Sequence, residues 1–136
     1  MAGGRRGPTL TSDTMRRTVL VVEDDSDLRD AILDVLESAG FDAVMAGNGQ
    51  EAFEALRDRR EPALILLDLE MPVMDGFELR RRLLESPGLS AIPVVLLSGD
   101  SKDQKQAGNL GFARSLKKPF GEEDLLRIVS QYCGDN

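Results

Sequence analysis

The chain has no histidine, no tryptophan and a single cysteine in 136 residues. Without histidine it has no imidazole base, no imidazole metal ligand and no phosphohistidine of its own. One cysteine closes no internal disulfide and builds no zinc cluster. No apolar run approaches the roughly 18 residues of a membrane span, and the opening residues lack the apolar core of a signal peptide. Positive charge is short as well. Lys plus Arg is 17 against 24 Asp plus Glu, a net charge of -7, which disfavours a protein held to nucleic acid by phosphate contacts. What remains for chemistry is carboxylates, hydroxyls, lysine and arginine.

The charge is unevenly placed. Arg5, Arg6, Arg16 and Arg17 outweigh Asp13, leaving residues 1–17 at +3 and the remainder at -10. The opening stretch is rich in Gly, Ser and Thr and has no apolar periodicity, so residues 1–16 are expected to be a disordered tail. Met15, just before the first strand-like run, is a second candidate start. Residues 17–136 have the length and the 41% hydrophobic content of one globular domain.

From Thr18 onward short apolar runs alternate with helical periodicity. Residues 18–22, 41–45, 63–67, 92–97 and, more weakly, 111–116 read as strands. Between the first two, Leu28, Ala31, Ile32, Val35, Leu36 and Ala39 form a helix stripe, with Ser26 as N-cap and Gly40 as stop. Asn48 caps a second helix carrying Ala52, Phe53 and Leu56. A third begins near Gly76 with Leu79, Leu83 and Leu84, and Ser86-Pro87-Gly88 ends it. Residues 102–109 read as a weak polar helix. Glu122–Cys133 is the last, with Leu125, Ile128, Val129 and Tyr132 facing inward. Five strands alternating with five helices predict an α/β fold: a doubly wound, five-stranded parallel sheet in the order 2-1-3-4-5, with ligands at the carboxyl ends of the strands.

That prediction selects the residues that matter. Strand 1 runs out into Glu23-Asp24-Asp25, strand 3 into Asp68, strand 4 into Ser98 and strand 5 into Lys117-Lys118-Pro119. Neighbouring strands lie about 4.8 Å apart, so these ends converge on one rim. Three carboxylates at close range repel unless a cation joins them. A hard oxygen-liganded ion such as Mg²⁺ suits them, and zinc does not. A carboxylate can also act as a nucleophile toward phosphorus. Alone, each feature is ordinary: an acidic helix start, a turn aspartate, a surface lysine, a Ser-Gly turn. At the ends of four strands of one sheet, chance explains them poorly.

Four blocks make the pattern specific: Val-Leu-Val-Val-Glu-Asp-Asp (19–25), Leu-Leu-Asp-Leu-Glu-Met-Pro-Val-Met-Asp-Gly (66–76), Pro-Val-Val-Leu-Leu-Ser-Gly (93–99) and Lys-Pro-Phe (118–120). Together the chain resembles the bacterial response-regulator receiver domain over about residues 17–134, with the flavodoxin-like strand order that this implies. The resemblance implies that Asp68 accepts a phosphoryl group from a histidine kinase or a histidine phosphotransfer protein. It implies Mg²⁺ held by Glu23, Asp24 and Asp68, with Asp24 the direct ligand, Glu23 acting through water and the Glu70 backbone carbonyl completing the shell. Ser98 corresponds to the switch hydroxyl and Lys118 to the motif lysine; Met71, Pro72, Met74 and Gly76 shape the loop. Asp25 is a helix-start residue.

By this reading the protein is a cytoplasmic, stand-alone phosphoacceptor switch, not an enzyme in the ordinary sense. Its output runs by contact with an unidentified protein target, with no nucleic acid or membrane partner. The absence of histidine fits an acceptor. A Mg²⁺-dependent phosphatase with an aspartate nucleophile is disfavoured, because the second aspartate it needs is replaced by Glu70. One departure stands out: the aromatic usual three residues before the motif lysine is Ser115 here. Either Phe112 or Phe120 fills the space, or the chain is a receiver-fold interaction module with atypical switching. In similar domains the residues two beyond the phosphoacceptor and two beyond the switch hydroxyl influence acyl-phosphate lifetime; here they are Glu70 and Asp100, which either act so or are simply solvated.

Overall fold

The computed structural model describes residues 18–58, 62–69, 71, 74–98, 105, 108 and 110–134. Its elements in chain order are β1 (Thr18–Val22), α1 (Ser26–Ser38), β2 (Asp42–Ala46), α2 (Gly49–Asp58), β3 (Leu64–Asp68), α3 (Gly76–Leu84), β4 (Val94–Ser98), β5 (Arg114–Lys117) and α4 (Glu122–Cys133). The five strands are all parallel and lie in the order β2-β1-β3-β4-β5, as the alternating pattern predicts. Among the described residues there are four helices; the weak helix expected over 102–109 lies, apart from Lys105 and Gly108, outside them. So do the tail expectation for 1–16, Glu70, Pro72 and Asp100.

Strand side chains alternate between two cores because helices cover the sheet on both faces; β1, β3 and β4 are buried on both, whereas the edge strands β2 and β5 are largely exposed. On one face Val19, Val21, Leu64, Leu66, Val95 and Leu97 pack against Ile32 and Leu36 of α1 and Leu125, Val129 and Cys133 of α4. On the other, Leu20, Val22, Ile65, Leu67 and Val94 pack against Ala52 and Leu56 of α2 and Leu79 and Leu83 of α3. β1 and β3 sit at the centre with every residue from Val19 to Val22 and from Leu64 to Asp68 buried. Each fully buried Leu or Ile there contributes on the order of 1.5–3 kcal/mol.

Several boundaries move from their sequence-based positions. Strands 2 and 3 begin one residue later than predicted, strand 4 two and strand 5 three, each ending one residue later. Apolar content sets the prediction, whereas the pairing Thr18↔Asp42, Val22↔Ala46 and Ser98↔Lys117 sets the ladder. The cap of α1 is Asp25 and not Ser26: its carboxylate accepts from the Asp27 and Leu28 amides at 3.0 and 3.3 Å. Asn48 does cap α2, accepting from the Glu51 amide at 2.9 Å. Gly40 ends the α1 region with φ 91°. Two residues assigned to helix stripes, Ala31 and Leu84, are exposed instead. The inward side of α4 includes the half-buried Ile128 and Tyr132 and also the buried Cys133.

Candidate functional site

The strand order changes direction at β1, which has β2 on one side and β3 on the other. Ligands of open parallel sheets bind at the carboxyl ends of strands beside such a point. Register then places the side chains. Val22 pairs with Leu67, so the next residues, Glu23 and Asp68, leave the sheet side by side. Asp68 pairs with Leu97, and Ser98 with Lys117, which brings Lys118 to the same rim one residue further on.

Glu23 is 1% exposed, and both of its carboxylate oxygens are engaged. Oε1 accepts from Lys118 Nζ at 2.9 Å and Oε2 from the Asp25 amide at 3.2 Å. Its backbone is fixed too: the Glu23 amide donates to the Ala46 carbonyl, and its carbonyl accepts from Arg29 Nη1 at 2.9 Å. Asp68 is 7% exposed, with Oδ1 3.4 Å from Lys118 Nζ. Asp24, between Glu23 and the capping Asp25, is exposed. Burial alone would lower the pKa of Lys118; the hydrogen bond to Glu23 and the charges of Asp68 and Glu23 outweigh it, so the ammonium sits above its ordinary value. One lysine thus faces two buried carboxylates, with a third at the mouth.

Glu23, Asp24 and Asp68 each offer one carboxylate oxygen, and these oxygens lie within 4.8 Å of one another. An all-oxygen set with two negative charges beyond the lysine's compensation fits a hard divalent cation such as Mg²⁺. The structure therefore brings together four of the residues singled out from the sequence: Glu23, Asp24, Asp68 and Lys118. Ser98 ends β4 opposite Lys117; its side chain, and the whole of Glu70, lie outside the described residues.

Sequence reasoning missed how the neighbouring loops are held. Gly76 opens α3 directly against the carboxyl end of β3. Its amide donates to the Leu69 carbonyl at 2.9 Å, and a Cβ there would sit 2.4 Å from the Asp68 carbonyl oxygen. Only glycine permits that approach. Gly49 does the same one loop away: its amide donates to the Met74 carbonyl at 2.9 Å, and a Cβ would sit 2.6 Å from that oxygen. The legible signal is an Asx–Gly pair at each helix start, Asn48-Gly49 and Asp75-Gly76. In both, the first side chain caps the helix, as Asp75 Oδ1 does for the Glu78 amide at 2.9 Å.

Ser115 is exposed and pairs in the ladder with Leu96. Of the two rings proposed to fill the space, Phe112 packs against Leu69 and Leu96, whereas Phe120 packs on the opposite face of the sheet. The Lys118–Pro119 peptide bond is cis.

Residues 19–130 match the family described as the response regulator receiver domain. A 14.6 kDa protein from Leptolyngbya boryana is 38% identical over 117 residues, covering 85% of this chain and 88% of that protein. The DNA-binding response regulator MtrA of Mycobacterium tuberculosis is 37% identical over 119 residues, covering 86% of this chain but only 50% of MtrA. Among solved structures, the receiver domain of a Pseudomonas aeruginosa PAO1 sensor histidine kinase, with a magnesium ion coordinated in its active-site cleft, superposes with a TM-score of 0.80 at 26% identity, covering 88% of this chain and 98% of that one.

Proposed function

The chain belongs to the response regulator receiver domain family, and from that premise we propose that it is a cytoplasmic phosphoacceptor of a two-component phosphorelay, with Asp68 as the acceptor and a histidine kinase or histidine phosphotransfer protein as the donor. Receiver domains are signalling phosphoacceptors and not enzymes in the ordinary sense. The observation that carries the reading is the convergence of buried Asp68 and Glu23, exposed Asp24 and Lys118 at one point of the rim.

In the proposed step a carboxylate oxygen of Asp68 attacks phosphorus. A P–O bond forms, the P–N bond to the donor imidazole breaks, and the imidazole leaves with its electron pair and takes up a proton. Glu23, Asp24 and Asp68, completed by the Glu70 carbonyl, would hold a Mg²⁺ ion. When bound, such an ion would supply positive charge to offset that of the transferring phosphoryl group. Lys118, held by Glu23 and facing Asp68 at 3.4 Å, contributes a preorganised cation for the charge that develops in transfer. Ser98 is assigned the hydroxyl that meets a phosphoryl oxygen afterwards.

The partner docks beside this rim. An apolar groove between α1 and the start of α4, lined by Leu28, Ile32, Val35, Phe120 and Leu125, adjoins Lys118 through Phe120 and suits an apolar helix face of the phosphohistidine donor. The net charge of -7 favours a protein over nucleic acid as the partner of this domain on the output side too.

The test is incubation with acetyl phosphate followed by intact-mass measurement. A single phosphoryl adduct is expected with Mg²⁺, none with chelator, and none in Asp68→Asn. An adduct that persists in Asp68→Asn, or no adduct with Mg²⁺ present, would refute the assignment.

A further inference from the structure

Arg80 lies on α3 one turn beyond Gly76 and is 4% exposed. Arginine is rarely buried so completely unless its donors find acceptors. Two acceptors come from the segment entering β5. Nε donates to the Leu110 carbonyl at 2.7 Å and Nη2 to the Gly111 carbonyl at 3.0 Å. Two successive carbonyls can both meet the planar fork because Gly111 adopts φ 68°. The guanidinium also lies over the Phe112 ring, 5.7 Å from its centroid, a cation–π contact. Nη1 is buried and has no hydrogen-bond partner among the described residues.

These contacts close on the end of β3. Phe112 packs against Leu69 and Leu96. Leu69 follows Asp68, and its carbonyl accepts from the Gly76 amide. Gly76 and Arg80 are four residues apart on one helix, hence on one face. A continuous loop of contact therefore runs from the Asp68–Leu69 backbone to Gly76, along α3 to Arg80, across to Leu110–Phe112, and back to Leu69.

We propose that Arg80 is a positioning residue that couples the Asp68 end of β3 to the segment entering β5, acting through Phe112 where Ser115 has no ring to pack. The proposal rests on the phosphoacceptor reading of Asp68. Phosphorylation adds charge at Asp68, and any resulting shift of Leu69 and Gly76 is transmitted by a stiff fork and a stacked ring.

The test uses the full chain and the variants Arg80→Leu and Arg80→Lys. Leucine keeps apolar volume in an apolar site, and lysine keeps the charge without the fork; thermal unfolding checks that both fold. The Ala113 amide, which donates to the Val94 carbonyl at 2.9 Å, reports on the tether without any ligand. Its hydrogen exchange should rise roughly tenfold in both variants, as local opening of the segment becomes easier. Unchanged exchange in both overturns the tether. Amide shifts on adding Mg²⁺ with beryllofluoride report on the coupling. In the natural chain they should reach Leu69, Gly76, Gly111 and β5; in both variants they should persist at Leu69 and Gly76 and fade from Gly111 onward. Equal shifts at Gly111 and β5 in the variants overturn the coupling while leaving the phosphoacceptor reading intact. Absence of any shift at Leu69 in the natural chain refutes that reading, and the coupling with it.

Discussion

Replacing Lys118 by methionine removes the ammonium from a buried acidic pair and leaves a stem of similar shape. In the natural chain Nζ is 2.9 Å from Glu23 Oε1 and 3.4 Å from Asp68 Oδ1. Removing one partner of a fully buried ion pair costs about 3–5 kcal/mol, because the other charge stays behind. Here Glu23 is 1% exposed, but 27% of the Lys118 side chain already meets solvent, so water replaces part of what is lost. The expected deficit at neutral pH is about 2–3 kcal/mol, or about 8–12 °C in Tm. The pH dependence has a definite sign. The Lys118 pKa is raised in the folded state, so its contribution is fully present below the unfolded lysine value of about 10.4. It is lost as pH rises through the folded value, and the gap between the two proteins should close there. Mg²⁺ should stabilise the variant more than the natural chain, since the acidic site then lacks the Lys118 ammonium. Urea denaturation across pH, with and without Mg²⁺, measures all three effects. Equal stability of the two proteins at pH 7, with no extra stabilisation of the variant by Mg²⁺, would refute the electrostatic account.

Two further substitutions separate the scaffold from the chemistry. Gly76→Ala drives a methyl toward the Asp68 carbonyl and should cost about 1–3 kcal/mol while weakening Mg²⁺ binding, read by calorimetric titration; unchanged affinity would detach α3 from the site. Asp25→Ala removes the α1 cap and should cost about 1 kcal/mol in urea denaturation while leaving labelling by acetyl phosphate intact. Loss of labelling in a folded Asp25→Ala would assign that carboxylate to the site.

The central strands were legible because they are buried on both faces. Runs such as Val19–Val22 and Leu64–Leu67 are then continuously apolar, and the helices between them carry three-and-four spacing. Strand ends were less legible. Asp68 and Ser98 belong to their ladders despite being polar, because hydrogen-bond pairing and not hydropathy sets where a strand stops. The site acids and Lys118 could be found because the fold rule directs attention to strand carboxyl ends. The close approaches of Gly49 and Gly76 show in the sequence only as an Asx–Gly pair at each helix start; what each glycine meets depends on which loops come together in space. Arg80 was hidden for the opposite reason. Its position in Arg80-Arg81-Arg82 reads as a solvated charge run, and the carbonyls of Leu110 and Gly111 with the Phe112 ring, some thirty residues on, make its burial tolerable.

Chemical mapping of the label tests most directly the proposal that Asp68 bears the phosphoryl group. Protein labelled with acetyl phosphate and Mg²⁺ is reduced with borohydride, which converts an acyl phosphate to an alcohol and marks the residue that carried it. Peptide mass mapping should find the reduced side chain at position 68 and leave Glu23 and Asp24 unaltered. A mark at Asp24 or Glu23, or a borohydride-resistant phosphate on Ser98, would contradict the account.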